Sequence, residues 1–324
     1  MTDNMADCDH LICQFFCRKV MRSANIADLR VGQPLASNSL FRYAHPPDGL
    51  AVAKVASAAS DVVLSMLSKT ELSRGLKTDL VGKKLFVFES IDSTNTCART
   101  LAEAGTEEGS VVVADYQSEG RGRLGRTWQA EPAKNLLFSV LLRPKLSKEQ
   151  SGLLTFYAAI AVSRAIESMT GQRVECKWPN DILLNGKKVC GILIENSFEQ
   201  EHVAYSVLGI GLNVNQHTFA QELTERATSI ANELHAEIDR AELFRRILQE
   251  IDALYQDVQK SRYDLILQEW KERCKMFGQQ IDVSQGSQTI SGVARGLSTT
   301  GGLIMETAKG LQTIHAGDIT IHRR

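Results

Sequence analysis

From about Val81 onward, hydrophobic and polar residues fall into readable periods. "KLFVFES" alternates as a half-buried strand does. "SIDSTNTCARTLAEAG" follows, with polar cap candidates at Asp92, Ser93, Thr94 and Asn95, and predicts a short helix stopped by Gly105. Strands are predicted over Val111–Tyr116 and Leu136–Leu142. In "GLLTFYAAIAVSRAIESMTG" the residues Leu154, Tyr157, Ala158, Ala161, Val162, Ala165, Ile166 and Met169 share one face of a helix that Gly171 ends. "DILLNGKKVCGILIE" reads as a hairpin, because Asn185-Gly186 suits a type I′ turn in which both residues need positive φ. "YSVLGIGLNVN" is a further strand running into polar residues. Asp239-Arg240-Ala241-Glu242 resembles a capping box. It opens a helix that repeats Leu243, Phe244, Ile247, Leu248, Ile251, Leu254, Tyr255 and Val258 at three-and-four spacing, and a second helix ends near Cys274.

The two ends of the chain read differently. Residues 1–70 hold a Pro- and Gly-bearing loop and a predicted helix in "AVAKVASAASDVVLSML", and are left open between a degenerate helix-turn-helix and an extension. The last fifty residues carry short β-like runs between Gly, Ser and Thr turns, which predicts a small all-β module. Strands and helices mix without strict βαβ alternation, so the class is α+β. The expected division is 1–70, 71–273 and 274–324.

Composition narrows this little. The 324 residues are 43% apolar and 23% charged, an ordinary globular balance, and the net charge of −1 excludes a general nucleic-acid-binding field. No uninterrupted apolar run approaches the roughly 18 residues of a membrane span. Seven scattered cysteines suit reduced thiols in a cytoplasmic protein. Cys8, Cys13 and Cys17 with His10 match no standard metal-ligand spacing.

The chemistry gathers in "SEGRGRLGRTW". Gly120 to Gly125 satisfies G-x-G-x-x-G after a strand, yet no helix opens behind it, and Pro132 follows soon after, which counts against a dinucleotide-binding turn and leaves a solvated basic loop as the plainer alternative. Glycines bring backbone N–H groups close to an anion, and arginines supply rigid bidentate donors. A loop so poor in apolar residues is expected to be mobile when empty, to order when its anions arrive and to close as a lid over them. "ECKWPNDILLNGKK" adds Lys177, Trp178, Asn180, Asp181 and Lys188, with Gly191 as a candidate for close approach of a ligand.

Together "STN", "GRGRLGRTW", "KWPNDILLNGKKVCGILIE" and "GIGLNVN", in this order over residues 70–324, resemble the biotin protein ligases. The resemblance implies a mixed-sheet catalytic domain of the biotin/lipoate ligase type with a small C-terminal SH3-like β-barrel. It also implies ATP-dependent transfer of biotin, through biotinyl-5′-AMP, to a lysine of a biotin carboxyl carrier domain, with Mg²⁺. By the same resemblance, Ser93, Thr94, Asn95, Gln117, Arg121, Gly122, Arg123 and Lys188 bind the biotin and its activated carboxylate. Arg123, Lys177 and Lys188 carry the catalysis, Trp128, Asn180 and Asn213 lie on the nucleotide side, and Asp181 is a candidate Mg²⁺ ligand. Lipoate–protein ligases share the fold, and some family members are homodimers that double as biotin-responsive DNA-binding repressors. "TELSRGLKTDLVGKK" resembles the segment that joins a DNA-binding domain to the catalytic part.

Overall fold

The alternation read from the sequence builds a seven-stranded mixed sheet in the order β1-β2-β3-β7-β6-β5-β4. The strands are β1 (Leu85–Ile91), β2 (Val111–Gln117), β3 (Leu136–Leu142), β4 (Glu175–Lys177), β5 (Asp181–Leu184), β6 (Lys187–Glu199) and β7 (His202–Leu212). β1 and β2 run parallel, joined by a helix, and every other pairing is antiparallel. This is a computed structural model that describes residues 66–322. The reading of residues 1–65, including most of the predicted 51–67 helix and the three N-terminal cysteines, lies outside the described residues.

The helices are α1 (Lys69–Ser73), α2 (Thr94–Glu103), α3 (Leu153–Thr170), α4 (Ile230–Leu234), α5 (Arg240–Gln259) and α6 (Tyr263–Glu272). Their ends follow local chemistry. Gly171 takes the left-handed conformation (φ 69°) that terminates α3. Asp239 accepts the Glu242 N–H at 3.0 Å and starts α5. The second half of the expected capping box is not formed, because the Glu242 carboxylate is taken by Arg245 and Arg246. Asn185 and Gly186 both have positive φ, as the β5–β6 hairpin requires.

One sheet face is apolar. Phe138 pairs with Ile210, Ile210 with Ile192 and Val113 with Phe138, so their side chains share that face. Phe138 meets Phe244 of α5 edge-on at 5.2 Å. α3 packs between the sheet and α5 and α6. The single apolar stripe expected for α3 therefore understates it: Phe156, Ala159, Ile160 and Ser163 are buried as well.

The segment after Met66 is pinned to the domain. Leu72 of α1 is fully buried, Leu67 N–H donates to Asp115 at 2.8 Å, and Asp252 accepts the N–H groups of Asp79, Leu80 and Val81. At the other end, β8 (Gln280–Gln285), β9 (Gln288–Leu297), β10 (Leu303–Thr307), β11 (Gly310–Ile314) and β12 (Asp318–Ile321) form a second, antiparallel sheet in the order β11-β10-β9-β8-β12. Its β9–β10 turn abuts the large-sheet region, where Trp178 Nε1–H donates to the Gly301 carbonyl at 3.0 Å. A side chain on Gly301 would meet the Phe156 ring.

Candidate active site

The opposite sheet face carries the site. Gly191 pairs with Gly211, and Gly209 with both Leu193 and Ser139, which places three glycines and a serine side by side. These glycines leave room that other side chains enter. A Cβ on Gly211 would stand 2.7 Å from the Trp128 ring, one on Gly191 2.8 Å from it, and one on Gly209 2.2 Å from Asn95 Oδ1. Gly191 was expected to admit a ligand; in the structure it admits the indole of Trp128.

α2 covers the neighbouring part of this face, over β2, β3 and β7. Ser93 occupies its N-cap but forms no side-chain capping bond, so the capping reading fails for this residue. The Thr94 N–H is taken instead by Gln117 Oε1, at 2.7 Å. Thr94 Oγ1 also reaches Gln117 Oε1, at 3.0 Å, and Ser139 Oγ donates to Asn95 Oδ1 at 2.6 Å.

The arginine loop follows Gln117 directly and lies over the glycine floor. It was expected to be mobile when empty and to order when its anions arrive. In the structure it forms a narrow hairpin, with Trp128 N–H donating to Gly120 O at 2.9 Å and Gly122 N–H to Arg126 O at 2.7 Å. A 3-10 turn over Arg123–Gly125 forms its tip. Its own backbone amides supply the pairing that the absent apolar side chains do not. Arg123 Nη1–H donates to Asn180 Oδ1 at 3.0 Å, while Asn180 Nδ2 donates to Ile192 O at 2.7 Å. Arg126 pairs with Asp318 of the C-terminal sheet. Arg121 was expected to face a carboxylate of the substrate; its guanidinium pairs with Glu195 at 3.0 Å, a counter-charge already present in the protein.

Beyond Trp128 lies a cluster of charge. Lys188 Nζ is 2.6 Å from Asp181 Oδ1 and 5.5 Å from the centroid of the Trp128 ring. Lys177, paired in register with Asp181, is held below the usual lysine range by burial, with Lys188 and Arg226 adding to the effect and Asp181 opposing it. Burial likewise lowers Arg123, against the pull of Asp181. The site is thus a cationic cluster around one carboxylate, Asp181. Asn213 lies behind it, its Nδ2 donating to Thr228 O at 3.0 Å and its buried Oδ1 without a partner.

Residues 87–213 match the biotin/lipoate A/B protein ligase family, and residues 276–321 match the biotin protein ligase C-terminal domain. The bifunctional ligase/repressor BirA of Bacillus spizizenii is 37% identical over 257 residues, 79% of this chain and 79% of the relative. This chain belongs to the biotin protein ligase family. The biotin–[acetyl-CoA-carboxylase] ligase of Paracoccus denitrificans is 34% identical, over 70% of this chain and 96% of its own. Among solved structures, the biotin protein ligase of Aquifex aeolicus in complex with biotin and ATP superimposes with a TM-score of 0.65 and 31% identity, over 75% of this chain and 100% of that one. The protein is accordingly an enzyme of the ligase class.

Two candidate residues of the ligase site have partners within the protein. Asp181 Oδ1 is buried and forms an ion pair with Lys188 but no hydrogen bond, and among the described residues no group of three or more acidic, histidine or cysteine side chains converges. A Mg²⁺ ion that binds through substrate phosphates needs no such cage. Asn95 is tied into the protein by Ser139, Glu195 and Leu193 O, which makes it part of the floor rather than a free donor. Sequence reading also passed over Gly209, Gly211, Ser139, Glu195, Arg226 and Asp318. Gly209 and Gly211 had a signal, since glycines two apart in a strand clear the same face. The others are identified only by what they touch.

Proposed function

We propose that this ligase attaches biotin to the ε-amine of a lysine on a biotin carboxyl carrier domain, at the expense of ATP. The observation that carries the reading is the cluster of Arg123, Lys177 and Lys188 around Asp181, beside the glycine floor that Trp128 covers. Such a cluster fits the meeting of a carboxylate with a polyphosphate, where two anions must approach. In the first step a biotin carboxylate oxygen bonds to the α-phosphorus of ATP, and the bond to the bridging oxygen breaks, releasing pyrophosphate as its magnesium complex. Mg²⁺ enters with the nucleotide as part of the substrate. In the second step the lysine amine attacks the acyl carbon of biotinyl-5′-AMP; AMP leaves and one proton is lost.

In this reading Ser93, Thr94 and Gln117 hold the polar head of biotin. The hydroxyl of Ser93, which caps nothing, and the NH₂ end of Gln117 are the groups turned to the ligand. Gly122 brings its backbone near the carboxylate. Arg123 and Lys188 neutralise charge at the α-phosphate, Lys177 and Arg226 face the departing pyrophosphate, and Trp128 offers a flat surface to adenine. Asn180 aims Arg123, and Asn213 completes the nucleotide side. The hairpin over the site keeps water from the mixed anhydride. The match to the C-terminal domain favours biotin over lipoate. Incubation with either acid, ATP, Mg²⁺ and a carrier domain separates the two readings: biotin labels the carrier and lipoate does not. Labelling by lipoate alone would overturn the proposal.

A second activity is favoured by the name of the Bacillus relative, a bifunctional ligase/repressor: biotin-responsive binding of DNA. The region left open for it is residues 1–70. A gel shift at stated salt, with and without biotin and ATP, tests it.

A further inference from the structure

One carboxylate on the site face takes no part in the steps above. Glu195 lies on β6, on the same face as Gly191 and Leu193. Its Oε2 accepts a hydrogen bond from Asn95 Nδ2 at 2.8 Å, and its Oε1 lies 3.0 Å from Arg121 Nη1. Asn95 continues the chain inward through Ser139, which stands 2.8 Å from Thr94 Oγ1, and Thr94 reaches Gln117. The connected groups run Gln117, Thr94, Ser139, Asn95, Glu195, Arg121. This path leaves the sheet at the last residue of β2, just before the hairpin, and returns to the hairpin at Arg121.

We propose that Glu195 is a positioning residue for the biotin pocket, orienting the Asn95 carboxamide in the floor and capturing Arg121 so that the hairpin lies closed. The proposal rests on the ligase reading of the site. Asn95 is 4% exposed and wedged against Gly209, so its carboxamide cannot turn to find another acceptor. A buried amide N–H left without its acceptor is costly. The Arg121 side chain is 44% exposed, and an ion pair so wet is weak by itself. Asn95 holds the carboxylate in one rotamer beforehand, so less freedom is lost when Arg121 arrives. A neutral amide at position 195 could still accept from Asn95 but could not hold the guanidinium by charge. The two tasks of the residue are therefore separable by substitution.

The test uses the full chain and two readouts. The first needs no substrate: chymotryptic cleavage after Leu124, which is 67% exposed at the hairpin tip. Glu195→Gln is expected to speed this cleavage about two- to five-fold, the scale of a part-exposed ion pair. Arg121→Gln should do the same, and the double variant should go no further than either single one. The second readout is adenylate formation. Glu195→Gln should raise the KM for biotin several-fold and release more biotinyl-AMP into solution, with the KM for ATP unchanged, and Glu195→Asp should recover part of the loss. A merely structural role would lower the active fraction, and with it kcat, at constant KM. Cleavage and biotin KM both at wild-type values in a folded Glu195→Gln, or additive cleavage effects in the double variant, would overturn the inference. Absence of any biotinyl-AMP from the wild type would instead sink the ligase reading, and the proteolysis result would still decide the role of Glu195.

Discussion

The two faces of the large sheet are made by the same strands and do opposite things. On one, Phe138, Ile192 and Ile210 meet α3 and α5 in close contact. On the other, the alternate positions of β3, β6 and β7 are Ser139, Gly191, Gly209 and Gly211, and their space is filled by Trp128, Asn95 and a hairpin of arginines. Burial of branched apolar side chains stabilises the fold. Removing side chains from the other face leaves a hollow that the protein lines with its own polar groups. One residue of register thus separates a stabilising surface from a reactive one.

Substitutions on each face sharpen that contrast. The largest effect is expected on the apolar side. Phe138→Ala removes a fully buried ring and its contact with Phe244, and should cost about 3–5 kcal/mol of unfolding free energy in a denaturant titration. The KM values of the fraction that remains folded should not move. On the site side the pattern should reverse. Arg123→Ala and Lys188→Ala should each lower kcat for biotin transfer by about 10²–10³, the range for losing one charge-stabilising donor. Their melting temperatures should stay near that of the wild type; normal turnover in both would remove the site assignment.

Gly211→Ala comes next. Its methyl would meet Trp128 at 2.7 Å and displace the indole, so the KM for ATP should rise about tenfold, roughly 1.4 kcal/mol, with the fold intact. The smallest effect concerns Lys177. Burial holds its folded pKa below the ordinary value, so between the two the free protein binds fewer protons there than the unfolded chain does. Stability gains from this group as pH rises through that window. A polyphosphate beside the ammonium raises the pKa again, so ATP binding at alkaline pH should take up a fraction of a proton. Calorimetry in two buffers of different ionisation enthalpy measures it, and proton release would contradict the placement of Lys177.

Much of the scaffold was legible because it rests on local rules. Asn185-Gly186 marked a turn, Gly171 a helix end, and Leu136–Leu142 a strand, each from steric or periodic preferences that act within a few residues. The nearly complete burial of α3 was not legible, since it depends on what packs on both sides. Nor was the hairpin form of the arginine loop, whose order comes from backbone pairing between Gly120 and Trp128. The site followed the same division. Motifs pointed to Arg123, Lys177 and Lys188 as cations with a common purpose. Their partners came from far along the chain: Asn180 is 57 residues from Arg123, Glu195 is 100 from Asn95, and Asp318 is 192 from Arg126.

By itself the sequence determined which stretches become strands and helices, where they stop, and which cationic motifs the chain carries, because these follow from backbone sterics, periodicity and side-chain chemistry over short distances. Only the tertiary structure decided which charges are neutralised in advance. Arg121 is held by Glu195, and Asp181 by Lys188. Coulomb attraction and hydrogen bonding act through space, at distances the folded chain alone sets.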